Sequence, residues 1–265
     1  MDNRKYKIAL CQMLVGEDKE QNFSVASEMI TEAAANGAAI VCLPEIWNGP
    51  YDVARFAEFS EPESGPSVAL MSDLAKKNNI YLIGGSIPEK DGDKTYNTSY
   101  IFNRNGEIIG KHRKMHLFDI NVEGGIKFQE SAFFSAGDSL TLIDTDFGKI
   151  GVAICFDIRF PDMHSELAKA GAHIIFLPGA FNMTTGPAHW ELLIRSRALD
   201  NQIYFAACSP ARNQSLSYLA YGHSSIATPW GDFCATTDAS QSIVYGTIDR
   251  DYEDKIRREL PIGNL

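Results

Sequence analysis

A chain of 265 residues, 45% of them apolar, is long enough to bury one large core or two small ones. Its formal charge of −10, from 34 acidic and 24 basic side chains, argues against nucleic acid or an anionic membrane surface as partner. No apolar run reaches the length needed to span a bilayer.

The chain opens on Met1-Asp2-Asn3-Arg4-Lys5, which lacks the apolar core of a secretory signal. Lys7-Ile8-Ala9-Leu10-Cys11-Gln12 then reads as a strand. Phe23, Ala26, Ile30 and Ala33 recur at helical spacing, and a second β-rich run ends in Leu43-Pro44-Glu45. A carboxylate at a strand end is solvated by default, but the Ile46-Trp47 that follows suggests that Glu45 is drawn inward. Glu89-Lys90-Asp91-Gly92-Asp93-Lys94 reads as a solvated turn, and the sequon Asn97-Thr98-Ser99 is expected to stay unused. Lys111-His112-Arg113-Lys114 is a basic cluster, either a solvated face or a source of positive charge for a site. His112 and His116 have the i, i+4 spacing of a helical zinc pair but lack its adjacent glutamate, so no metal is expected. Glu130, in Phe128-Gln129-Glu130-Ser131, looks like an ordinary loop carboxylate.

The second half repeats the pattern of the first. Lys149-Ile150-Gly151-Val152-Ala153-Ile154 pairs with the first strand. Met163, Leu167 and Ala170 trace a helix, and Gly171-Ala172-His173-Ile174-Ile175-Phe176-Leu177-Pro178 matches the run before Glu45. Two strand–helix–strand units, apolar on both strand faces, predict an α/β protein with helix-covered sheets. Crossovers of one hand point the strand ends of each unit the same way, which brings Glu45 and Cys155 toward one crevice.

Cys155 stands where a strand gives way to a polar turn and then to a helix with Pro161 near its start. Such an elbow predicts a thiol exposed at a helix amino terminus, where thiolate is favoured; the alternative is a small core residue. Cys11, Cys42, Cys208 and Cys234 are expected in the core, and the odd count of five cysteines suits a reducing, cytoplasmic or matrix compartment. Thr184-Thr185-Gly186-Pro187 reads as a helix start, with Trp190, Leu193 and Ile194 on its buried face. No Ser-, Pro- or Gly-rich linker divides the chain, so one domain over 1–265 is expected.

Four stretches, in order, make the chain resemble the nitrilase superfamily of C–N hydrolases, and within it the ω-amidase branch. They are Leu43-Pro44-Glu45, Lys114-Met115-His116-Leu117-Phe118-Asp119, Cys155-Phe156-Asp157-Ile158-Arg159-Phe160 and the run from Pro178 to Trp190. The resemblance implies a four-layer α-β-β-α sandwich assembled at least as a homodimer. It implies that Cys155 is the nucleophile, Glu45 the general base, Lys114 the oxyanion-stabilising cation and Glu130 a second glutamate that positions substrate and triad. The chain departs from the branch at its end, where Leu260-Pro261-Ile262-Gly263-Asn264-Leu265 replaces a basic stretch and an Asp-Leu-Tyr-like tail. The implied reaction needs no cofactor: hydrolysis of the terminal amide of a 2-oxo dicarboxylic acid monoamide, such as 2-oxoglutaramate or 2-oxosuccinamate. The Phe156 N–H is then expected to assist the oxyanion. Free N–H groups at Thr184 and Thr185, or the side chains of Arg159 and His189, are candidates for the distal carboxylate. The bland alternatives are a helix cap for the threonines, an ion pair for Arg159 and a cap or core role for His189. Neighbouring branches act on deaminated glutathione, N-carbamoyl amines or aliphatic amides, and an idle scaffold subunit belongs to a different class again.

Overall fold

The computed structural model describes residues 3–262; the outermost residues at each end, Gly263-Asn264-Leu265 of the divergent tail among them, lie outside the described residues. A seven-stranded sheet is built around three parallel strands, Lys5–Gln12, Ile40–Cys42 and Tyr81–Ile83. A six-stranded sheet is built around another parallel trio, Gly148–Val152, Ala172–Pro178 and Tyr204–Cys208. The two trios are the two predicted units, each extended by one further parallel strand.

Period-two alternation explains how the layers stack. Ile8 and Leu10 of the first strand point between the sheets, where they join Ile150, Val152, Ile174 and Phe176 of the second sheet. Ala9 and Cys11 point outward, under Ala26, Ile30 and Ala33 of the helix Lys19–Ala35 and Met71 of the helix Pro66–Asn78. On the far side, Ile175 and Leu177 lie under Leu167 of the helix Pro161–Lys169 and under Trp190 and Ile194 of the helix Gly186–Asn201. The stack is therefore helix, sheet, sheet, helix. Strands buried on both faces explain the unbroken apolar runs, and each fully buried Leu or Ile contributes about 1.5–3 kcal/mol. None of the described helices is long and apolar enough to cross a membrane.

Three local expectations need correction. Ala170 caps its helix and is exposed, and Ala168 takes the buried place beside Met163 and Leu167, because the helix stops one residue earlier. Cys234 is exposed rather than in the core: it lies on Phe233–Thr236, the last strand at one edge of the second sheet. The polar segment 89–94 is the solvated turn of a hairpin linking Ile87–Asp91 to Lys94–Phe102, exposed from Lys90 to Lys94, and only Glu89 departs from the expectation. Glu89 is buried there. Burial alone raises its carboxyl, but hydrogen bonds from Arg113, Thr98 and Lys111 outweigh that and hold the pKa at about 2.

Candidate active site

Each half delivers one group at the carboxyl end of its sheet. The strand Ile40–Cys42 stops before Pro44, and the chain turns at Ile46, whose φ of +48° is unusual for a β-branched residue. Ser86 holds that turn, its hydroxyl accepting from Ile46 N–H at 3.1 Å and its carbonyl from Trp47 N–H at 3.2 Å. The indole of Trp47 donates to Gly84 O at 2.9 Å in the core. Glu45 is thereby turned inward, 1% exposed.

The basic cluster divides by strand parity. Lys111 and Arg113, on the strand Ile108–Arg113, both pair with Glu89. His112 and Lys114 face the interior, fully buried. Lys114 Nζ lies 2.9 Å from Glu45 Oε1 and 2.8 Å from Glu130 Oε2. A hairpin of Asp119–Asn121 and Lys127–Gln129 returns the chain from Lys114 to Glu130, which is buried and not a loop carboxylate in water. Four further donors fill the carboxylate lone pairs. Asn97 Nδ2 bridges Glu45 and Glu130 at 2.9 and 3.0 Å. The Tyr51 hydroxyl reaches both at 3.3 and 3.4 Å. Backbone N–H groups of Ala180 and Phe118 donate to Glu45 Oε2 at 2.8 Å and to Glu130 Oε2 at 2.6 Å. Asn97, read as part of an idle sequon, is thus a buried bridge between the two glutamates, and nothing in the sequence signals it or Tyr51.

Cys155 opens a short turn, Cys155–Arg159, ahead of the helix Pro161–Lys169, and its φ is +45°. A non-glycine residue in that region carries about 1–3 kcal/mol of strain, which surrounding contacts must hold. Asp157 does so. Its carboxylate accepts from Ile154 N–H at 3.0 Å and His116 N–H at 2.9 Å, and lies 3.1 Å from His112 Nε2 and 2.8 Å from His116 Nδ1. The two histidines with zinc-pair spacing therefore converge on Asp157, from a strand and the turn after it rather than from a helix. Across the crevice, Gly179 lets its strand run close: a Cβ there would sit 3.3 Å from Cys155 Cα.

The thiol is 3% exposed, not open to solvent as expected. Burial pushes the Cys155 thiol well up, the Glu45 charge adds to that, and Lys114 opposes both. Burial likewise raises the Glu45 carboxyl, with Lys114 lowering it and Glu130 raising it. For Lys114, burial favours the neutral amine, but Glu130 and Glu45 prevail and hold it well above the usual lysine range. The resting state is thus a neutral thiol beside a carboxylate of increased basicity, with a fixed ammonium between two carboxylates.

The candidate substrate-binding groups fare differently. Thr184 and Thr185 N–H both donate to Asn182 Oδ1, at 2.8 and 3.0 Å, and Gly186 N–H donates to Asn182 O at 2.7 Å. These donors are spent on the helix start, which corrects the expectation that they are free for a carboxylate. Arg159 is in no ion pair with any described carboxylate. Its guanidinium lies 5.4 Å from the Phe156 ring centroid and 5.1 Å from that of Phe181, and Nη2 reaches His189 Nδ1 at 3.2 Å. Burial lowers the Arg159 pKa, and negative charge at Cys155 opposes that shift. A small recess beside Glu45 is walled by Val15, Ile46, Tyr51, Ala180 and Tyr218.

Fold and site define a hydrolase of C–N bonds. The carbon-nitrogen hydrolase family model matches residues 7–258, and the chain belongs to that family. It is 50% identical to the omega-amidase NIT2-A of Xenopus laevis, over 97% of this chain and 94% of that protein. It is 48% identical to the chloroplastic omega-amidase of Arabidopsis thaliana, over 98% of this chain and 72% of that protein. Among solved structures, Nit3 of Saccharomyces cerevisiae, a member of branch 10 of the nitrilase superfamily, is 42% identical with a TM-score of 0.92, over 99% of this chain and 96% of that one.

Cys11, Cys42 and Cys208 are buried and expected to stay unmodified, whereas iodoacetamide is expected to modify exposed Cys234 and also Cys155, which is buried too but has Glu45 beside it to take its proton. Peptide mapping is expected to show substrate slowing labelling at Cys155 alone. Labelling of Cys155 as slow as that of the core thiols, with or without substrate, would point to an idle scaffold.

Proposed function

We propose that this chain hydrolyses the terminal amide of 2-oxo dicarboxylic acid monoamides, such as 2-oxoglutaramate and 2-oxosuccinamate, to the dicarboxylate and ammonia. The observation that carries the reading is the Lys114 ammonium held between Glu45 and Glu130 beside Cys155, in a chain about half identical to omega-amidases. As the Cys155 sulfur adds to the amide carbon, its proton passes to Glu45. Charge on the carbonyl oxygen is met by Lys114 and the Phe156 N–H, donors that need no reorganisation. Glu45 then protonates the nitrogen, the C–N bond breaks, and ammonia leaves a Cys155 thioester. Water attacks that thioester as its proton passes to Glu45. The carboxylic acid departs, and the proton returns to the sulfur. The raised Glu45 carboxyl suits a group that takes and gives a proton twice per turnover.

Arg159 is the cation best placed for the distal carboxylate, because no protein carboxylate claims it and two rings hold it close to Cys155. Steady-state kinetics of Arg159→Ala test this. KM for 2-oxoglutaramate is expected to rise by about 10- to 100-fold, the worth of a charge-assisted hydrogen bond, while KM for a neutral aliphatic amide stays put. Equal losses on both substrates would remove Arg159 from carboxylate binding.

A further inference from the structure

Three side chains reach both buried glutamates, and they differ in the hydrogens they can offer. The Lys114 ammonium gives one to Glu45 Oε1 and one to Glu130 Oε2, which leaves its third for the amide oxygen. The Asn97 Nδ2 carries two, one for each Oε1. The Tyr51 hydroxyl carries a single hydrogen, yet it stands 3.3 Å from Glu45 Oε1 and 3.4 Å from Glu130 Oε1. Tyr51 alone of the three has more acceptors than hydrogens, so it serves one glutamate at a time.

Its place is set by packing. The buried ring lies 4.6 Å from that of Tyr218, 5.5 Å from that of Phe128 and 5.6 Å from that of Phe56, centroid to centroid. The titratable groups facing the hydroxyl are Glu130, Glu45, Cys155 and Tyr218, and Lys114 is bound to both carboxylates. The ring is held while the hydrogen is left free to turn between two nearly equal distances.

The reaction changes which acceptor is the better one. When the thiol proton reaches Glu45, that group becomes a neutral acid while Glu130 remains a carboxylate, and a donor prefers the charged partner. We propose that Tyr51 is a positioning residue that donates to Glu45 in the resting site and turns its hydrogen to Glu130 when Glu45 takes the Cys155 proton. Donation to Glu45 keeps the base ionised against burial and against Glu130, both of which push its carboxyl up. This role rests on the parts given above to Cys155 and Glu45, and not on which amide is opened.

Tyr51→Phe keeps the ring and removes only the hydroxyl. The acid limb of the kcat/KM profile for 2-oxoglutaramate reports the base of the free enzyme. Without the Tyr51 donor that limb is expected to move to higher pH by about one unit, so the ratio of variant to unmodified rate falls about tenfold from the alkaline plateau to the acid side. The pH profile of Cys155 labelling by iodoacetamide, which needs no amide, is expected to shift the same way. Replacing Tyr51 by 3-fluorotyrosine, a stronger donor of similar size, is expected to move both limbs to lower pH, and it covers the case in which the phenylalanine variant does not fold. A uniform fall at every pH with unshifted limbs, or a fluorotyrosine limb that moves up, overturns the proposal. A KM raised equally at every pH, again with unshifted limbs, would make Tyr51 a substrate contact instead. Failure of the unmodified protein on 2-oxoglutaramate, with the labelling limb shifted as expected, would overturn the substrate reading and leave the Tyr51 role standing.

Discussion

Cys155→Ala is expected to abolish turnover, by about 10⁴-fold or more, with the fold intact. The alanine removes one buried sulfur that makes no backbone hydrogen bond essential to the elbow. The turn is held instead by Asp157, through Ile154 N–H, His116 N–H and the rings of His112 and His116. Circular dichroism and the thermal transition should therefore stay near those of the unmodified protein. Alanine at φ +45° is no more strained than cysteine, so backbone conformation gives no reason for collapse. More than a trace of activity in the purified, folded variant would mean that another group attacks the amide.

Lys114→Ala is expected to cost both activity and stability. Loss of one oxyanion donor lowers kcat by about 10²- to 10³-fold. The removed ammonium also leaves Glu45 and Glu130 facing each other, both buried. Breaking a buried ion pair on one side costs about 3–5 kcal/mol, which in a chain of this size lowers Tm by on the order of 10 °C. The pH dependence has a definite sign. Burial and Glu130 already raise the Glu45 carboxyl, and Lys114 is what lowers it. Without Lys114 the folded-state pKa rises further above the unfolded value. Stability is then fully present below that unfolded pKa, near ~4.3, and is lost as pH rises through the folded one. The variant should thus be closest to the unmodified protein in acid and furthest from it above neutrality. Thermal melts from pH 5 to 8 measure this; a deficit that grows toward acid would contradict the arrangement of charges.

What the sequence made legible was local. Lys7–Gln12 and Lys149–Ile154 announce strands through β-rich apolar runs, and Glu45, Lys114 and Cys155 stand where motifs draw attention to them. What stayed hidden depends on partners distant in sequence. Asn97 is 52 residues from Glu45 and 33 from Glu130, so its bridging role has no local pattern. His112 and His116 fit a helical spacing, yet a strand and a turn carry them to Asp157, 45 and 41 residues away. Thr184 and Thr185 look like free helix-start donors only until Asn182 folds back on them. Cys234 has strand-like neighbours, but its strand lies at a sheet edge, and edge position is a property of topology rather than of the five residues around it.

Ammonia release from 2-oxoglutaramate at neutral pH, with the Cys155→Ala protein as blank, tests the central claim most directly. The account predicts rapid release by the unmodified protein and none above background in the blank. A folded protein that releases no ammonia from this substrate would contradict the proposed activity, whatever other amide the Cys155 site then proved to open.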